Sequence, residues 1–352
     1  MRSVAVAGGG IIGLAVAWRL AQRGIRVMVF EKGEIGGEAS WAAAGMLSPG
    51  GEVESPSEFA SLVIESRALY PKFIRELEDS TKLAIDYQEC GALDLAFSEE
   101  ECQTIEARAA IQAGMGIRSK PVKPETVRTF WPRVREQDLI AARFYPDDAV
   151  VNPREVVIAL ASACRELGVS VVQQCAIERA EIGESHASVR TTRGLSNYDA
   201  LVVAAGAWSH SIHVSGVPQI PSVEPVKGHL IGYQQPLHTC NTIIRHGHTY
   251  VIQRANGLLI VGASTERVGF NREIDAAIAG SLAQNAGFLL PHLSETTPSE
   301  TWIGFRPGSD QLHIGAWHSK RLYLAYGHLR NGILLTPVTA ERISASITER
   351  CA

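Results

Sequence analysis

Cysteine is scarce and widely spaced in this sequence. Six are present and none forms a CxxC pair: Cys90, Cys102, Cys164, Cys175, Cys240 and Cys351. Zinc sites and disulfide frameworks need cysteines at short or regular spacings, so the pattern favours neither. We expect reduced thiols without a role in the chemistry.

Long apolar runs and dense basic runs are also absent. No uninterrupted apolar stretch reaches the ~18 residues of a membrane helix, so we expect no membrane span. The N-terminus is apolar, but Gly8-Gly9-Gly10 interrupts the run, and Arg19 and Arg23 follow where a signal-peptide cleavage site would lie. We therefore expect a cytoplasmic protein. A net charge of −4 gives no support for nucleic-acid binding.

The first thirty residues have the pattern strand, glycine-rich turn, helix, strand. Ser3–Ala7 is a short apolar run typical of a strand buried on both faces. Helical spacing follows from Gly13 to Arg23, and Ile25–Phe30 is a second strand that ends at Glu31. Gly8–Gly13 fits G-x-G-x-x-G within this context, which predicts a Rossmann-like dinucleotide site.

Each position of the motif has a physical role in binding a dinucleotide. Gly8 permits the tight turn, Gly10 lets the backbone approach a pyrophosphate, and Gly13 allows close packing of helix and strand. The helix N-terminus attracts the phosphates, and Glu31 can accept hydrogen bonds from ribose hydroxyls. A glycine-rich turn in a plain α/β core is the alternative. The motif alone does not distinguish FAD from NAD, and no second copy exists for a separate nicotinamide.

Helical and strand patterns divide the rest of the chain. A long helix is predicted near residues 57–78, another from Asn152-Pro153 to Leu167, and a third from about Gly332. His248–Gln253 and Leu258–Gly262 are predicted to form a hairpin.

The chain is too long for one core, which indicates an α/β protein of two domains. We expect a discontinuous cofactor domain over residues 1–85, 146–217 and 303–352. A mixed α+β, sheet-rich substrate domain is expected over 86–145 and 218–302.

Seven segments spread over the whole chain carry a family resemblance: Gly8–Gly13, Ala42–Leu47, Val202–Trp208, Val226–Gly228, His248–Tyr250, Gly304–Gly308 and Gly327–Leu335. In this order they resemble the glycine oxidase branch of the D-amino acid oxidase family. The resemblance implies FAD, a two-domain fold, and oxidation of small amines that bear a carboxylate. A homo-oligomer, a tetramer, is also implied by the resemblance.

The resemblance also implies a set of residues that bind FAD. These are Gly8, Gly10, Ile11, Ile12, Gly13, Glu31, Lys32, Ala39, Ser40, Ala44, Gly45, Met46, Ile177, Gly206, Trp208, His328, Leu329, Arg330, Asn331, Gly332, Ile333 and Leu334. Trp208 could instead pack in the core. Family members with covalent flavin use a late cysteine, and residues 304–335 contain none, so we expect non-covalent FAD.

Tyr250, Arg306 and Arg330 match the substrate-binding positions of the family. A substrate carboxylate in a closed pocket needs a bidentate cationic partner, which a guanidinium supplies. Tyr250 can donate its hydroxyl to the same carboxylate. Arg306 could alternatively form a structural ion pair, and Arg330 could bond backbone carbonyls.

Two further groups of polar residues could suggest a metal site or a catalytic carboxylate pair. His248, His313, His318 and His328 have no metal-ligand spacing, so we predict no metal site. Asp147 and Asp148 are adjacent on an extended segment and should point in opposite directions, which excludes a paired-carboxylate role. The positive end of the C-terminal helix could stabilise charge on the flavin, or the helix could simply pack there.

The resemblance implies hydride transfer from the substrate α-carbon to flavin N5. The resulting imino acid would hydrolyse to a 2-oxo acid and an amine, and O2 would be reduced to hydrogen peroxide. Glycine, sarcosine, larger N-substituted glycines and small D-amino acids all remain open, because Ser48 and Thr265 depart from the family pattern. The pathway, thiamine biosynthesis or specialised amine metabolism, is open too.

Three other functions remain compatible with the sequence. The nearest is an FAD-dependent dehydrogenase that passes electrons to a quinone or a protein. The others are an NAD-dependent dehydrogenase and a non-catalytic flavin-binding or sensor protein.

Overall fold

The computed structural model describes residues 1–130, 132–236 and 241–349. Cys240 and Cys351 lie outside this range, and the other four cysteines are free thiols. Within the described ranges, every helix is too short or too polar to cross a membrane.

The strands, in chain order, are β1 (Ser3–Ala7), β2 (Arg26–Phe30), β3 (Met46–Leu47), β4 (Tyr87–Gln88), β5 (Ala92–Ala96), β6 (Lys120–Val122), β7 (Ala141–Tyr145), β8 (Ala149–Val151), β9 (Ser170–Val172), β10 (Ile177–Ile182), β11 (Ala187–Thr191), β12 (Gly194–Tyr198), β13 (Ala200–Val203), β14 (His213–Ser215), β15 (Glu224–Gln234), β16 (Ile243–His246), β17 (Thr249–Gln253), β18 (Leu258–Gly262), β19 (Glu300–Gly308), β20 (His313–Ala316) and β21 (Leu322–Tyr326).

The helices are α1 (Ile11–Gln22), α2 (Ala39–Ala42), α3 (Pro49–Glu52), α4 (Glu58–Thr81), α5 (Glu99–Ala113), α6 (Pro124–Phe130), α7 (Pro153–Glu166), α8 (Ala276–Leu289) and α9 (Thr336–Thr348). Short 3-10 turns lie at Gly206–Ser211, Pro291–Leu293 and Leu329–Asn331.

A six-stranded sheet forms the dinucleotide-binding half, with the strand order β20-β21-β13-β1-β2-β9. Its strands are parallel except for β20. All five residues of β1 are buried, as expected for a central strand covered on both faces. Helix α1 packs against α7 and α9 on one face of this sheet. The expected α/β class and Rossmann-like arrangement are therefore present.

A second sheet has eight strands in the order β19-β15-β18-β17-β16-β5-β7-β6, and it is mostly antiparallel. Along β17, alternate residues face opposite sides, so Val251 joins a core with Leu282 of α8 while Ile252 joins the larger core. Two small sheets, β12-β11-β10-β14 and β3-β8-β4, complete the fold. The alternation leaves one face of the large sheet available to line a cleft.

Several local predictions are confirmed. The Asn152 side chain caps α7 by accepting from the Arg154 N–H, and Pro153 is its first residue. β17 and β18 form the predicted antiparallel hairpin. The long helix begins after its Ser57 cap and continues through Pro71 to Thr81.

Two features differ from the predictions, the start of one helix and the presence of one strand. The C-terminal helix begins at Thr336, not near Gly332, because residues 332–335 form turns. Strand β12 is the second difference, because the sequence pattern predicts no strand there. Its residues are almost all exposed, and without apolar alternation an edge strand gives no periodic signal.

The contact between α1 and the glycine-rich turn leaves no room for a side chain at Gly13. A Cβ there would lie 2.0 Å from the Gly8 carbonyl oxygen. This is backbone, which cannot rotate away, so the helix itself would have to shift. The predicted packing role of Gly13 is what the structure shows.

Gly13→Ala should therefore destabilise the protein, by more than about 2 kcal/mol, because overpacking against backbone has no easy relief. Gly280→Ala is the matched control, since Gly280 is also inside a helix and its Cβ would meet nothing within 4 Å. The control should gain stability, by up to about 1 kcal/mol, from better helix propensity. Thermal unfolding of both variants checks this, and similar melting temperatures would contradict the packing argument.

Candidate active site

A single continuous cavity of about 470 Å³ joins the two halves of the predicted site. Its walls come from the carboxyl ends of β1 and β2, from residues 36–48, and from β15, β17 and β19. Ligands of open α/β sheets bind at this end of the strands. The fold thus brings the expected cofactor and substrate residues into one space.

Most of the expected site residues line this cavity. They are Gly8, Gly10, Ile11, Ile12, Glu31, Lys32, Ala39, Ser40, Ala44, Gly45, Met46, Ile177, Gly206, Trp208, Tyr250, Arg306, His328, Leu329, Arg330, Asn331, Gly332 and Ile333. Gly13 and Leu334 are outside this lining. Gly13 lies beneath the turn, and Leu334 packs in the hydrophobic core.

The glycine-rich turn has the bare backbone surface that a pyrophosphate requires. Gly8 has φ +107°, and a Cβ there would lie 2.4 Å from the Ala204 carbonyl oxygen. The Ile11 N–H at the start of α1 donates to Ser40 Oγ at 3.0 Å. Ser40 therefore uses one of the helix N–H groups and fixes the neighbouring segment against the turn.

Glu31 is buried at the end of β2, where its carboxylate is held by two backbone groups. Oε2 accepts from the Gly9 N–H and Oε1 from the Gly33 N–H, both at 2.7 Å. Each carboxylate oxygen keeps a further lone pair, so both can still accept from ribose hydroxyls. The acidic residue is thus fixed in the position that the dinucleotide motif requires.

The segment 43–45 is held by Arg254, which the sequence did not single out. Its guanidinium donates to the carbonyls of Ala43 and Ala44, at 3.0 and 3.3 Å, and to Asn152 Oδ1 at 2.6 Å. Burial lowers the pKa of Arg254 to about 10. Gly45 follows with φ +100°, where a Cβ would lie 1.9 Å from the Val151 carbonyl oxygen. This rigid, bare segment can approach a planar cofactor closely.

Trp208 forms part of the wall on the cofactor side. Lys32 Nζ lies 3.3 Å from its ring centroid, and Phe270 stacks on the ring with centroids 4.5 Å apart. Burial lowers the pKa of Lys32. Trp208 is therefore a cavity residue, and the alternative of a purely internal packing position does not apply.

Two side chains of the substrate half rest on glycines of neighbouring strands. Tyr250 pairs with Gly262 across the hairpin, where a Cβ would lie 2.4 Å from the phenol oxygen. The Arg306 guanidinium lies over Gly228, where a Cβ would lie 2.4 Å from Nη2. The missing side chains let the two functional groups lie flat against the sheet and face the cavity.

Burial decides the protonation behaviour of both groups. It raises the pKa of Tyr250 more than Arg306 and Arg330 lower it, so the phenol keeps its proton and can donate it in a hydrogen bond. Burial lowers the pKa of Arg306, but a guanidinium stays charged in proteins. The cavity therefore offers a neutral donor beside a cation.

Arg306 donates from Nη1 to the Ser264 carbonyl at 3.0 Å. Within the part of the chain that the structure describes, it has no ion-pair partner. Among the described residues, Arg306 therefore does not form the structural ion pair that the sequence left open. By contrast, Arg245 is paired with both Asp94 and Asp148, at 2.5 and 2.7 Å.

Arg330 pairs with Glu52, a cavity residue that sequence reasoning missed. Its Nη2 lies 3.0 Å from Oε1, and Asn331 Nδ2 donates to Oε2 at 3.0 Å. Arg330 thus bonds a carboxylate and not the backbone carbonyls considered above. Glu52 and Asn331 are 279 positions apart in the chain, so no local pattern could have revealed the contact.

The histidines and the adjacent aspartates singled out in the sequence lie in separate surroundings among the described residues. No group of three or more possible metal ligands occurs among the described residues. Asp148 faces Arg245, whereas Asp147 faces the exposed Arg118, so the two point apart as predicted.

His328 lines the cavity and forms a buried contact between Nε2 and Thr339 Oγ1 at 3.0 Å. Burial, with a smaller effect of His313, lowers its pKa to about 3. The imidazole is therefore neutral throughout the physiological range.

Residues 3–346 match the DAO family of FAD dependent oxidoreductases, and the chain belongs to this family. The glycine oxidase of Geobacillus kaustophilus (strain HTA426) is 31% identical over 351 residues, which cover 99% of this chain and 93% of that protein. A crystal structure of glycine oxidase from Geobacillus kaustophilus has a TM-score of 0.92 at 30% identity, covering 99% and 95% of the two chains.

The fold extends to more distant proteins. A crystal structure of L-proline dehydrogenase from P. horikoshii has a TM-score of 0.88 at 23% identity, covering 99% of this chain and 93% of the other. The family, the FAD cofactor and the enzyme class expected from the sequence are confirmed: the protein is a glycine oxidase-like, FAD-dependent oxidoreductase. In the described ranges no cysteine lines the cavity.

His328 should make the protein less stable in acid. Unfolding lets this histidine bind a proton below its usual pKa of 6.5, whereas the folded state resists protonation down to about 3. Stability should therefore fall as the pH falls through this window, by up to about 1.4 kcal/mol per pH unit from this group. His328→Gln should flatten the dependence of unfolding free energy on pH.

Denaturant unfolding at several pH values between about 4.5 and 6.5 measures how steeply the unfolding free energy depends on pH. This range lies between the folded and unfolded pKa values of His328. His210→Gln is the control, because His210 is exposed. An unchanged slope in His328→Gln would show that this histidine does not remain neutral in the folded state.

Proposed function

We propose that this protein oxidises glycine, N-substituted glycines or small D-amino acids, with O2 as the electron acceptor. The observation that carries the proposal is Arg306, a partly buried cation without an ion-pair partner among the described residues. It lies with Tyr250 in the cavity that also contains the dinucleotide turn. Leaving a desolvated charge unpaired costs several kcal/mol, a cost that an arriving carboxylate would offset.

The chain's residues supply the binding and orientation for this reaction. Arg306 would receive the substrate carboxylate in a forked pair of hydrogen bonds, and Tyr250 would donate to the same group. Fixing the carboxylate fixes the α-carbon, so that its C–H bond is presented to the cofactor half of the cavity. Arg330, already paired with Glu52, would add positive charge at the mouth.

When bound, FAD would supply the two-electron oxidant for the substrate Cα–H bond, with O2 as the final acceptor and hydrogen peroxide as its product. The substrate leaves as an imino acid, and water converts this to a 2-oxo acid and ammonia or an amine. No strong base is required of the protein if the amine binds deprotonated.

The chain would then have two discontinuous domains, residues 1–85, 146–217 and 303–352 around FAD and residues 86–145 and 218–302 around the substrate, with Arg306 and Arg330 reaching the substrate from the first. The six-stranded sheet would belong to the FAD domain, and most of the eight-stranded sheet would belong to the substrate domain. Strand β19 continues the large sheet to Gly308 and carries Arg306, so this strand would join the two domains.

Substrate choice would depend on the residues that set the free space around the α-carbon. Ser48 and Thr265 both line the cavity. The Ser48 hydroxyl is buried and has no hydrogen-bond partner among the described residues. A substrate amine or N-substituent with a polar group could satisfy it.

An anaerobic absorbance titration of the purified protein tests the proposed reaction. Glycine, sarcosine, larger N-substituted glycines and small D-amino acids are added in turn, and the flavin band is followed. Bleaching, reversed by air with release of peroxide, is the expected result. Bleaching without peroxide in air would point to a dehydrogenase, and no bleaching by any of these compounds would overturn the proposal.

Arg306→Ala should raise the KM for the best substrate by about 100-fold, because a bidentate charged contact of roughly 3 kcal/mol is lost. Arg342→Ala is the matched control, since Arg342 pairs with Glu65 on an exposed surface. Steady-state kinetics at equal flavin content compare the two variants. A KM in Arg306→Ala equal to that of the control would remove Arg306 from substrate binding.

A further inference from the structure

A buried hydrogen-bond network joins β15 to the segment that follows β18. His229 on β15 is fully buried, and its Nδ1 lies 2.7 Å from Glu266 Oε1. Its Nε2 accepts from the Asp275 N–H at 2.9 Å. Since Nε2 accepts, the proton of the neutral ring is on Nδ1, which therefore donates to Glu266.

Ser264 is the centre of this network. Its hydroxyl donates to Glu266 Oε1 at 2.6 Å and accepts from the His229 N–H at 2.8 Å. The backbones of Glu266 and Lys227 also bond each other in both directions at 2.9 Å. The orientation of the Ser264 peptide is thus fixed from several sides.

The same residue touches the substrate-binding cation. The Ser264 carbonyl accepts from Arg306 Nη1 at 3.0 Å, while the guanidinium plane lies over Gly228, next to His229. One of the five guanidinium N–H groups is used in this bond, and its direction sets the plane of the others. A small rotation of the Ser264 peptide would tilt the Arg306 guanidinium, whose remaining N–H groups must align with a carboxylate.

Glu266 adds charge to this geometry. Its side chain is 16% exposed, and it favours the charged form of Arg306 without forming an ion pair with it. Beyond Glu266 the segment is exposed from residue 267 to residue 277. The network therefore holds the end of the segment that touches Arg306, while most of the segment lies in solvent.

We infer that His229, Ser264 and Glu266 are positioning residues that orient the Arg306 guanidinium for a carboxylate ligand. The inference rests on the proposed function only in assigning carboxylate binding to Arg306. None of the three lines the cavity. They act through the Ser264 carbonyl, so their loss should weaken carboxylate binding and leave the flavin site unchanged.

Acetate is the probe, because it has the carboxylate and no amine to oxidise. Binding is followed through the visible absorbance of the flavin in the FAD-loaded protein. Ser264→Ala and Glu266→Ala should each raise the Kd for acetate by about tenfold, close to the loss of one net hydrogen bond. Ser281→Ala, at an exposed serine of α8, should bind acetate as the wild type does.

A conservative variant separates positioning from general damage. Glu266→Gln keeps an oxygen that can accept from His229 and Ser264, so it should restore acetate binding to within about threefold of the wild type. In substrate kinetics, Ser264→Ala should raise KM while kcat stays near the wild-type value, once the substrate is saturating. A merely structural role would not produce this split or this rescue.

Melting temperature and flavin content identify variants that fold poorly. If Ser264→Ala does not fold, Glu266→Ala still tests the inference, because Glu266 lies at the start of an exposed segment. Wild-type acetate affinity in both alanine variants would overturn the inference, even if the protein oxidises glycine. If acetate binds and the variants weaken it while no amino acid bleaches the flavin, the inference stands and the proposed reaction fails.

Discussion

Glycines at a few positions, where no side chain is present, allow the close contacts that form the cavity walls. On the cofactor side, Gly8 and Gly45 expose bare backbone at positions where a Cβ would overlap a carbonyl oxygen. On the substrate side, Gly228 and Gly262 lie beneath Arg306 and Tyr250. Because interiors are densely packed, a side chain at any of these positions would displace the backbone or the functional group that forms the cavity wall.

Charge compensation separates the structural arginines of this protein from the one suited to binding. Arg245 is surrounded by two carboxylates, and Arg254 donates to three oxygens of the protein. Arg306 has one backbone carbonyl and a neighbouring phenol. Since a buried cation is costly until it is paired, Arg306, with the fewest protein partners of these three arginines, is the one we propose for an anionic ligand.

Local sequence rules predicted the elements that bind the dinucleotide. Gly8–Gly13 and Glu31 are predicted from the motif in its strand-turn-helix-strand context, because a tight turn, a helix start and a strand end are each set by neighbouring residues. The hairpin at β17 and β18 was predicted for the same reason. The start of the C-terminal helix was placed too early, since the turns at residues 332–335 bond to α4 through the Ser66 and Tyr70 hydroxyls, which local pattern does not reveal.

The sequence by itself determined the cofactor fold and, through its family resemblance, the flavin, while its substrate-pocket residues stay a prediction. Only the tertiary structure decided how those residues are held. Glu52 meets Arg330, Arg254 holds segment 43–45, and Ser264 meets Arg306. These contacts join residues far apart in the chain, and the energy of such a bond depends on distance and burial, which arise only when the two sheets come together around the cavity.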